Sequence, residues 1–210
     1  NGQALKNELS IRISDSHINQ LTYSQIWEAL KIVDLDPNNP NYVLLIYGWE
    51  NGSDGDGTND RRRNKDNNGG SHGQWNREHT YPQSLGTPDL GQVGPGADAH
   101  MLRACDVQRN NSRGNRRFAN GSGITSYSIG SNSWFPGDEW KGDLARMMMY
   151  MYLRYGDQCL PTNVGVGSTT GTGDDMIDLF LIWNIEDPVS AFEINRNNYL
   201  GNANNTWGQG

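Results

Sequence analysis

Cysteine is scarce: only Cys105 and Cys159 occur. Two thiols exclude a structural zinc site built on cysteine. They leave open a single Cys105–Cys159 disulfide, expected of an exported chain, or two buried free thiols. Long apolar runs are missing as well; none approaches the roughly eighteen residues that a membrane-spanning helix needs. Positive charge is short, with 17 Lys and Arg against 24 Asp and Glu and a formal net charge of −7. Taken over the whole chain, that argues against a nucleic-acid partner, because phosphate contacts rest on Lys and Arg. The distribution argues the other way. Between Arg61 and Arg117, ten Lys and Arg stand against five Asp and Glu, so this stretch carries +5 and the remainder −12. A basic middle in an acidic body fits a local phosphate site; a chance fluctuation of surface charge is the plain alternative.

Aromatic residues are plentiful, with seven Trp and nine Tyr in 210 residues. That is enough to build one core, and the expectation is a single domain spanning 1–210. No signal peptide stands at Asn1, which fits a mature chain cut from an exported precursor.

Residues 1–20 read as a weak helix with Leu5, Leu9 and Ile13. Thr22 with Gln25 fits a capping box, and Leu21 with Ile26 a hydrophobic staple, ahead of a helix reaching about Asp34. Tyr42–Tyr47 predicts a buried strand. Asn51–Gly73, almost without apolar residues, predicts a long loop. Trp75–Thr80 should be extended, since Tyr81 precedes Pro82. Strands are expected near 99–103 and 124–129, a helical turn at 106–114, and a plain turn at 134–137. The Leu144, Met147, Met148, Met151 and Tyr155 stripe predicts a helix over 143–155, closed by Gly156. Its methionines suit core packing far better than a soft-metal site. Gly165–Gly173 reads as a linker, 174–184 as a helix, and Asp187-Pro188 as the start of another, with a loose polar tail from Gly201.

The chemistry concentrates in Asn76-Arg77-Glu78-His79 and, thirty residues on, in Asp98–Arg117. Hydrolysis of a phosphodiester needs an activated water, a cation against the phosphate charge and help for the leaving oxygen. His79 suits the first, since imidazole titrates near neutrality. Glu78 suits the second, since hard cations take oxygen ligands. Adjacent strand residues face opposite ways, so the two can share a site only if the chain bends, which Pro82 makes credible. An exposed polar strand end is the competing reading.

Asn76-Arg77-Glu78-His79 with Pro82 and Ser84, then Asp98 to Arg103, Asp106, Asn110-Asn111 and Arg113-Gly114-Asn115, then Trp183 to Asn197, together resemble the bacterial endonuclease I family. These are extracytoplasmic, non-specific nucleases of the ββα-metal class. The resemblance covers about residues 20–200. It implies an α+β fold whose ββα-metal core, a hairpin plus a crossing helix, is surrounded by further, mainly C-terminal helices. It implies His79 as general base and one divalent cation, Mg²⁺ with Mn²⁺ or Ca²⁺ able to substitute, held by Glu78 and Asn110, with Asn111 the second choice. The products implied carry a 5′-phosphate and a free 3′-hydroxyl. The expected setting is secreted or periplasmic, and the expected partner is DNA, with RNA beside it, acted on by a monomer. Two departures touch local structure: Ala104 stands where the family often has Pro, and the Asn-Pro-rich tail often seen after the last helix is missing.

Around that core, Arg77 is expected to stabilise the transition state or brace Glu78. Arg113, Arg103 and Arg61 are expected on substrate phosphates. His100 either orients the site or sits hydrogen-bonded in the core. Asp54-Gly55-Asp56-Gly57-Thr58-Asn59-Asp60 spaces carboxylates like a calcium loop but lacks the distal Glu of an EF-hand, so Asp54, Asp56 and Asp60 are candidate ligands of a structural Ca²⁺, or form a solvated acidic turn. A non-catalytic, Ca²⁺-stabilised binding domain is therefore the second functional reading. A metal-independent ribonuclease is the third, and it lacks a second histidine partnered with His79.

Overall fold

Residues 2–172 and 174–210 are described by a computed structural model. Asn1, and Gly173 at the end of the expected linker, lie outside the described residues.

Helix α1 (Gly2–Ser16) buries none of its side chains. Leu5 and Leu9 stay exposed, and polar bonds to the later helix hold it instead, Lys6 Nζ meeting the Tyr152 hydroxyl at 2.7 Å. The capping box ahead of α2 (Ile26–Val33) is reciprocal: Thr22 N donates to Gln25 Oε1 at 2.8 Å, and Gln25 N to Thr22 Oγ1 at 3.3 Å. Its buried face is Ile26, Ala29, Leu30 and Val33.

Strands β1 (Leu35–Asp36) and β2 (Asn39–Leu44) pair antiparallel, and β3 (Arg62–Asn64) joins β2. The expected loop over 51–73 thus contains a short strand, whose Arg63 is buried while its neighbours are exposed. The apolar run continues past β2 as buried, non-strand backbone to Tyr47.

The second sheet holds the two polar clusters together. Strand β4 (Trp75–His79) pairs antiparallel with β5 (Leu102–Asp106), opposing Glu78 to Arg103 and His79 to Leu102. Every residue of β5 is buried. Asp106 then caps α3 (Val107–Arg113), its Oδ1 accepting from Gln108 N and Arg109 N at 2.8 Å. Helix α3 packs on both strands, which completes a hairpin-and-helix unit, although 22 residues separate β4 from β5 in place of a tight turn.

A third sheet has the order β6-β8-β7, from β6 (Arg117–Phe118), β7 (Tyr127–Ile129) and β8 (Ser133–Phe135). The expected turn at 134 is therefore a strand as far as Phe135: Trp134 and Phe135 are buried and pair with β7. Helix α4 (Lys141–Tyr155) buries Leu144, Met147, Met148 and Met151 as core and ends at Gly156, whose φ of 54° favours glycine. Short α5 (Pro161–Val164) and α6 (Asp178–Glu186) follow.

The last helix, α7 (Ala191–Leu200), starts later than expected. Its cap is Ser190, in a capping box with Glu193, whereas Asp187 closes α6 and accepts from Gly142 N at 2.9 Å. The tail is also not loose. Gln209 is 1% exposed, its Oε1 accepting from Ala99 N at 2.8 Å and its backbone oxygen from Asn19 N at 3.1 Å. Cys105 and Cys159 are buried and free, which matches the second of the two alternatives left open for them. Cys105 Sγ donates to Ile46 O at 3.4 Å, and burial raises the Cys159 thiol to about 12. No helix among the described residues is long and apolar enough to cross a membrane.

Candidate active site

A cavity of about 310 Å³ opens where β4 ends and α3 passes over it; its walls include Arg77, Glu78, His79, Asp89 and Asn110. Strand alternation would have put Glu78 and His79 on opposite faces. They share the cavity because β4 stops at His79 and the chain bends at Thr80, ahead of Pro82.

Glu78 is 2% exposed. Its Oε1 accepts from the Tyr47 hydroxyl at 2.9 Å and from Arg113 Nη1 at 3.0 Å, while Oε2 makes no bond among the described residues. Burial raises this carboxyl to about 7, against the pull of Arg113 and Tyr47. Asn110 is oriented in the same way. Its Nδ2 donates to Asn76 Oδ1 at 2.8 Å, which turns Oδ1 away from Asn76, and Oδ1 makes no bond among the described residues. Two unengaged oxygens, one from a carboxyl and one from an amide, suit a hard cation. Two protein ligands also suit an ion that keeps most of its water, as Mg²⁺ does. Arg113 on the other Glu78 oxygen weakens the carboxylate's hold on such an ion.

His79 Nε2 lies 2.8 Å from Gly96 O. A carbonyl can only accept, so Nε2 carries the proton and Nδ1 is left with a lone pair that meets no partner among the described residues. The ring stacks on Tyr23, with centroids 5.3 Å apart and planes inclined by 29°. Burial lowers the imidazole to about 4, the Gly96 bond opposing it and Arg77 and Arg113 reinforcing it. At neutral pH the ring is therefore an uncharged acceptor.

Arg77 lies with its guanidinium 3.5 Å from the Tyr23 ring centre and 4.2 Å from that of Trp27. Its Nη1 donates to Tyr23 O. Among the described residues it makes no hydrogen bond or ion pair with Glu78, so of the two expectations for it, bracing that carboxylate is not seen. The phosphate-contacting arginines fall elsewhere than expected. Arg113 is fully buried and donates inward to Glu78, His79 O at 2.9 Å and Thr80 O at 2.8 Å. Arg103 is fully buried between Asp34 and Asp143, at 3.2 Å from each. Neither has a face left for a substrate. Arg61 is partly exposed but bonded to Glu139. Asn111, the second choice for the cation, does not line the cavity.

His100 lies outside this cavity. It stacks on Tyr150, with centroids 4.7 Å apart. With His17 and Asp98 it forms the one cluster of His, Cys, Asp or Glu ligand atoms lying within 4.8 Å of one another among the described residues. Protein bonds already engage most of that cluster. Gln209 Nε2 meets His17 Nε2 at 2.9 Å, His17 Nδ1 meets the Tyr150 hydroxyl at 3.0 Å, and Tyr150 and Tyr155 donate to Asp98 Oδ2 at 2.9 and 2.7 Å. His100 itself departs from the hydrogen-bonded core reading: its Nε2 is buried without a hydrogen-bond partner among the described residues, and the ring packs by stacking on Tyr150.

Burial lowers the His100 imidazole to about 4; Asp98 opposes the shift, while Arg196, His17 and Arg154 add to it. Above the ordinary value of about 6.5, neither folded nor unfolded chain is charged there. As pH falls from 6.5 towards 4, the unfolded chain takes the proton first, and stability is lost. Urea unfolding at pH 7.5 and 5 should show the unsubstituted protein losing on the order of 2 kcal/mol more than His100→Phe over that interval. Equal losses would remove His100 as the cause.

Several contributors were not legible beforehand. Tyr47 and Gly96 act on Glu78 and His79 from 31 and 17 positions away. Asn76 lay within the motif, but nothing in the sequence signalled that it orients Asn110. Asp89 reaches the cavity wall from the long connection between β4 and β5.

A family model described as Endonuclease I matches residues 1–206. The chain is 42% identical over 208 residues to an extracellular ribonuclease of Bacillus amyloliquefaciens, covering 95% of this chain and 67% of that protein. It is 41% identical over 211 residues to an extracellular ribonuclease of Bacillus subtilis (strain 168), with the same coverage.

Proposed function

The chain belongs to the endonuclease I family, and from that premise we propose that it is an exported, divalent-cation-dependent endonuclease cutting DNA and RNA without sequence specificity. The observation that carries this reading is the convergence of three unengaged acceptors, His79 Nδ1, Glu78 Oε2 and Asn110 Oδ1, on residues lining one cavity.

His79 Nδ1 takes the proton from a water, whose oxygen attacks phosphorus. The P–O3′ bond breaks, leaving a 5′-phosphate, and the departing O3′ takes a proton from solvent to become a free hydroxyl. Glu78 and Asn110 hold a cation of the Mg²⁺ type, which when bound offsets charge on the phosphate. Gly96 and Tyr23 keep the imidazole in one tautomer and one plane. Arg77, on the cavity wall, offers its remaining N–H groups to a phosphate oxygen.

Because the nucleophile is water, the 2′-hydroxyl has no task, and DNA serves as well as RNA. The names of the two Bacillus relatives support RNA as a substrate. Cleavage without metal through the 2′-hydroxyl would use Glu78, the other cavity group that burial brings near 7, as the second acid–base partner of His79; it would leave DNA intact and persist in EDTA.

The test is a nicking assay on supercoiled plasmid, run beside a labelled RNA. Both should be cut in Mg²⁺ and neither in EDTA; intact plasmid beside degraded RNA would sink the DNA half of the proposal. Glu78→Gln should shift the Mg²⁺ concentration for half-maximal rate upward by at least about tenfold, since even indirect partners of metal ligands are worth 10–100-fold. An unchanged titration would remove Glu78 from the cation.

A further inference from the structure

Tyr47 ends the buried run that follows β2, and it is the one non-glycine residue among the described residues whose φ lies in the left-handed region, at 72°. That backbone crowds the Cβ of any L-residue, and most of all a bulky one. Such a conformation persists only where its surroundings hold it from several sides, and it clusters at functional sites. Several neighbours hold it here. Ile46 N donates to Ala104 O on β5 at 2.9 Å, Ser126 Oγ donates to Tyr47 O at 2.8 Å, and Trp140 Nε1 donates to Gly48 O at 2.9 Å. The ring is fully buried and meets Trp134 edge to face, with centroids 5.6 Å apart. Gly48 lets the kink lie against the next segment, since a Cβ there would stand 2.2 Å from Asp60 O.

The kink delivers one atom to the cleft. The Tyr47 hydroxyl donates to Glu78 Oε1 at 2.9 Å, the same oxygen that accepts from Arg113 Nη1 at 3.0 Å. Arg113 alone does not fix the carboxyl group. Its Nη1 is shared with His79 O and its Nη2 is given to Thr80 O, so it holds Glu78 by a single bond about which the carboxyl can turn. A second donor, brought by a different part of the chain, sets the plane and leaves Oε2 as the oxygen open to a cation. This donor is also neutral. A second guanidinium or an ammonium would orient the carboxyl as well, but its charge would repel the ion that Glu78 is there to hold.

We propose that Tyr47 is a positioning residue: its hydroxyl, held by a strained backbone, selects Glu78 Oε2 as the oxygen presented to the cation in the cleft. The inference rests on the cation-dependent reading of the site given above. It extends the metal site to the third sheet, whose Trp134 packs the ring, and to Ser126 just ahead of β7, which holds the Tyr47 carbonyl.

Tyr47→Phe removes the hydroxyl and keeps the ring. Calorimetric titration of the substrate-free protein with Mn²⁺ should show binding at least about tenfold weaker in this variant, within the range for indirect partners of metal ligands. The Mg²⁺ concentration for half-maximal plasmid nicking should rise in parallel, while the rate at saturating Mg²⁺ and KM for plasmid stay within about threefold. Mn²⁺ binding within about twofold of the unsubstituted protein, well short of that range, overturns the proposal; a fall in the saturated rate alone is what a purely structural role would give. Should Tyr47→Phe not fold, Ser126→Ala decides, because it frees the Tyr47 carbonyl without touching Glu78. It should weaken Mn²⁺ binding by at least about threefold, on the scale of one neutral hydrogen bond, and unchanged binding overturns the proposal. Mn²⁺ binding that Glu78→Gln leaves unaltered sinks the cleft ion and this inference with it; binding lost in Glu78→Gln but kept in Tyr47→Phe sinks this inference alone.

Discussion

His79→Ala is expected to lower the rate of plasmid nicking by at least about 100-fold while the protein stays folded, the lower end of what a positioned general base contributes. The size follows from the ring's setting. Its Nε2 proton is committed to Gly96 O, and burial holds it neutral, with a pKa lowered to about 4, so the fraction in the accepting form is near one at pH 7. Nothing else among the cavity residues offers an uncharged nitrogen acceptor. Added imidazole should restore part of the activity to the alanine variant, because the substitution leaves a space where the ring stood. Single-turnover cleavage at saturating Mg²⁺ measures the loss and circular dichroism checks the fold. Activity within a few-fold of the unsubstituted enzyme would end the assignment of His79 as base.

Arg113→Ala should destabilise the fold by about 3–5 kcal/mol, the usual consequence of removing one partner of a buried ion pair. One guanidinium here serves Glu78, His79 O and Thr80 O, and its plane lies 4.6 Å from the Phe118 ring centre. The deletion strands a buried carboxylate and two backbone carbonyls at once, and it cuts the tie between α3 and the end of β4. Arg113→Lys would keep the charge but not the planar fork that reaches three acceptors, so an intermediate loss is expected. Urea unfolding read alongside KM distinguishes the roles. A phosphate contact would raise KM and spare stability; an internal brace does the reverse, and a variant of unchanged stability would show that the brace is not one.

The elements that the sequence revealed are those whose causes are local. The capping box at Thr22, the polar strand ending before Pro82, Asp106 ahead of α3 and the apolar stripe closed by Gly156 each act within a turn or two of chain. That Glu78, His79 and Asn110 would come together was legible from the ordered motif around them, and all three line one cavity. Where the sequence misled, the deciding partner was distant. Trp134 looked like part of a turn because Pro136-Gly137 follows, but β7 recruits it into a sheet. Asp187 before Pro188 has the form of a cap, but its carboxylate is taken by Gly142 N, 45 positions away. Arg103 and Arg113 were expected on substrate phosphates, since nothing nearby in sequence shows that Asp34, Asp143 and Glu78 wait inside for them.

The pinned C-terminal segment makes the site depend on nearly the whole length of the chain. Gln209 meets His17 across 192 positions and holds Ala99 N, three residues beyond the Gly96 carbonyl that fixes the imidazole. Contacts so remote in sequence close late and slowly in folding. Until Gln209 has folded back on His17 and Ala99 that stretch lacks its anchor, so the carbonyl that orients the His79 imidazole is held in place only after this distant segment has docked.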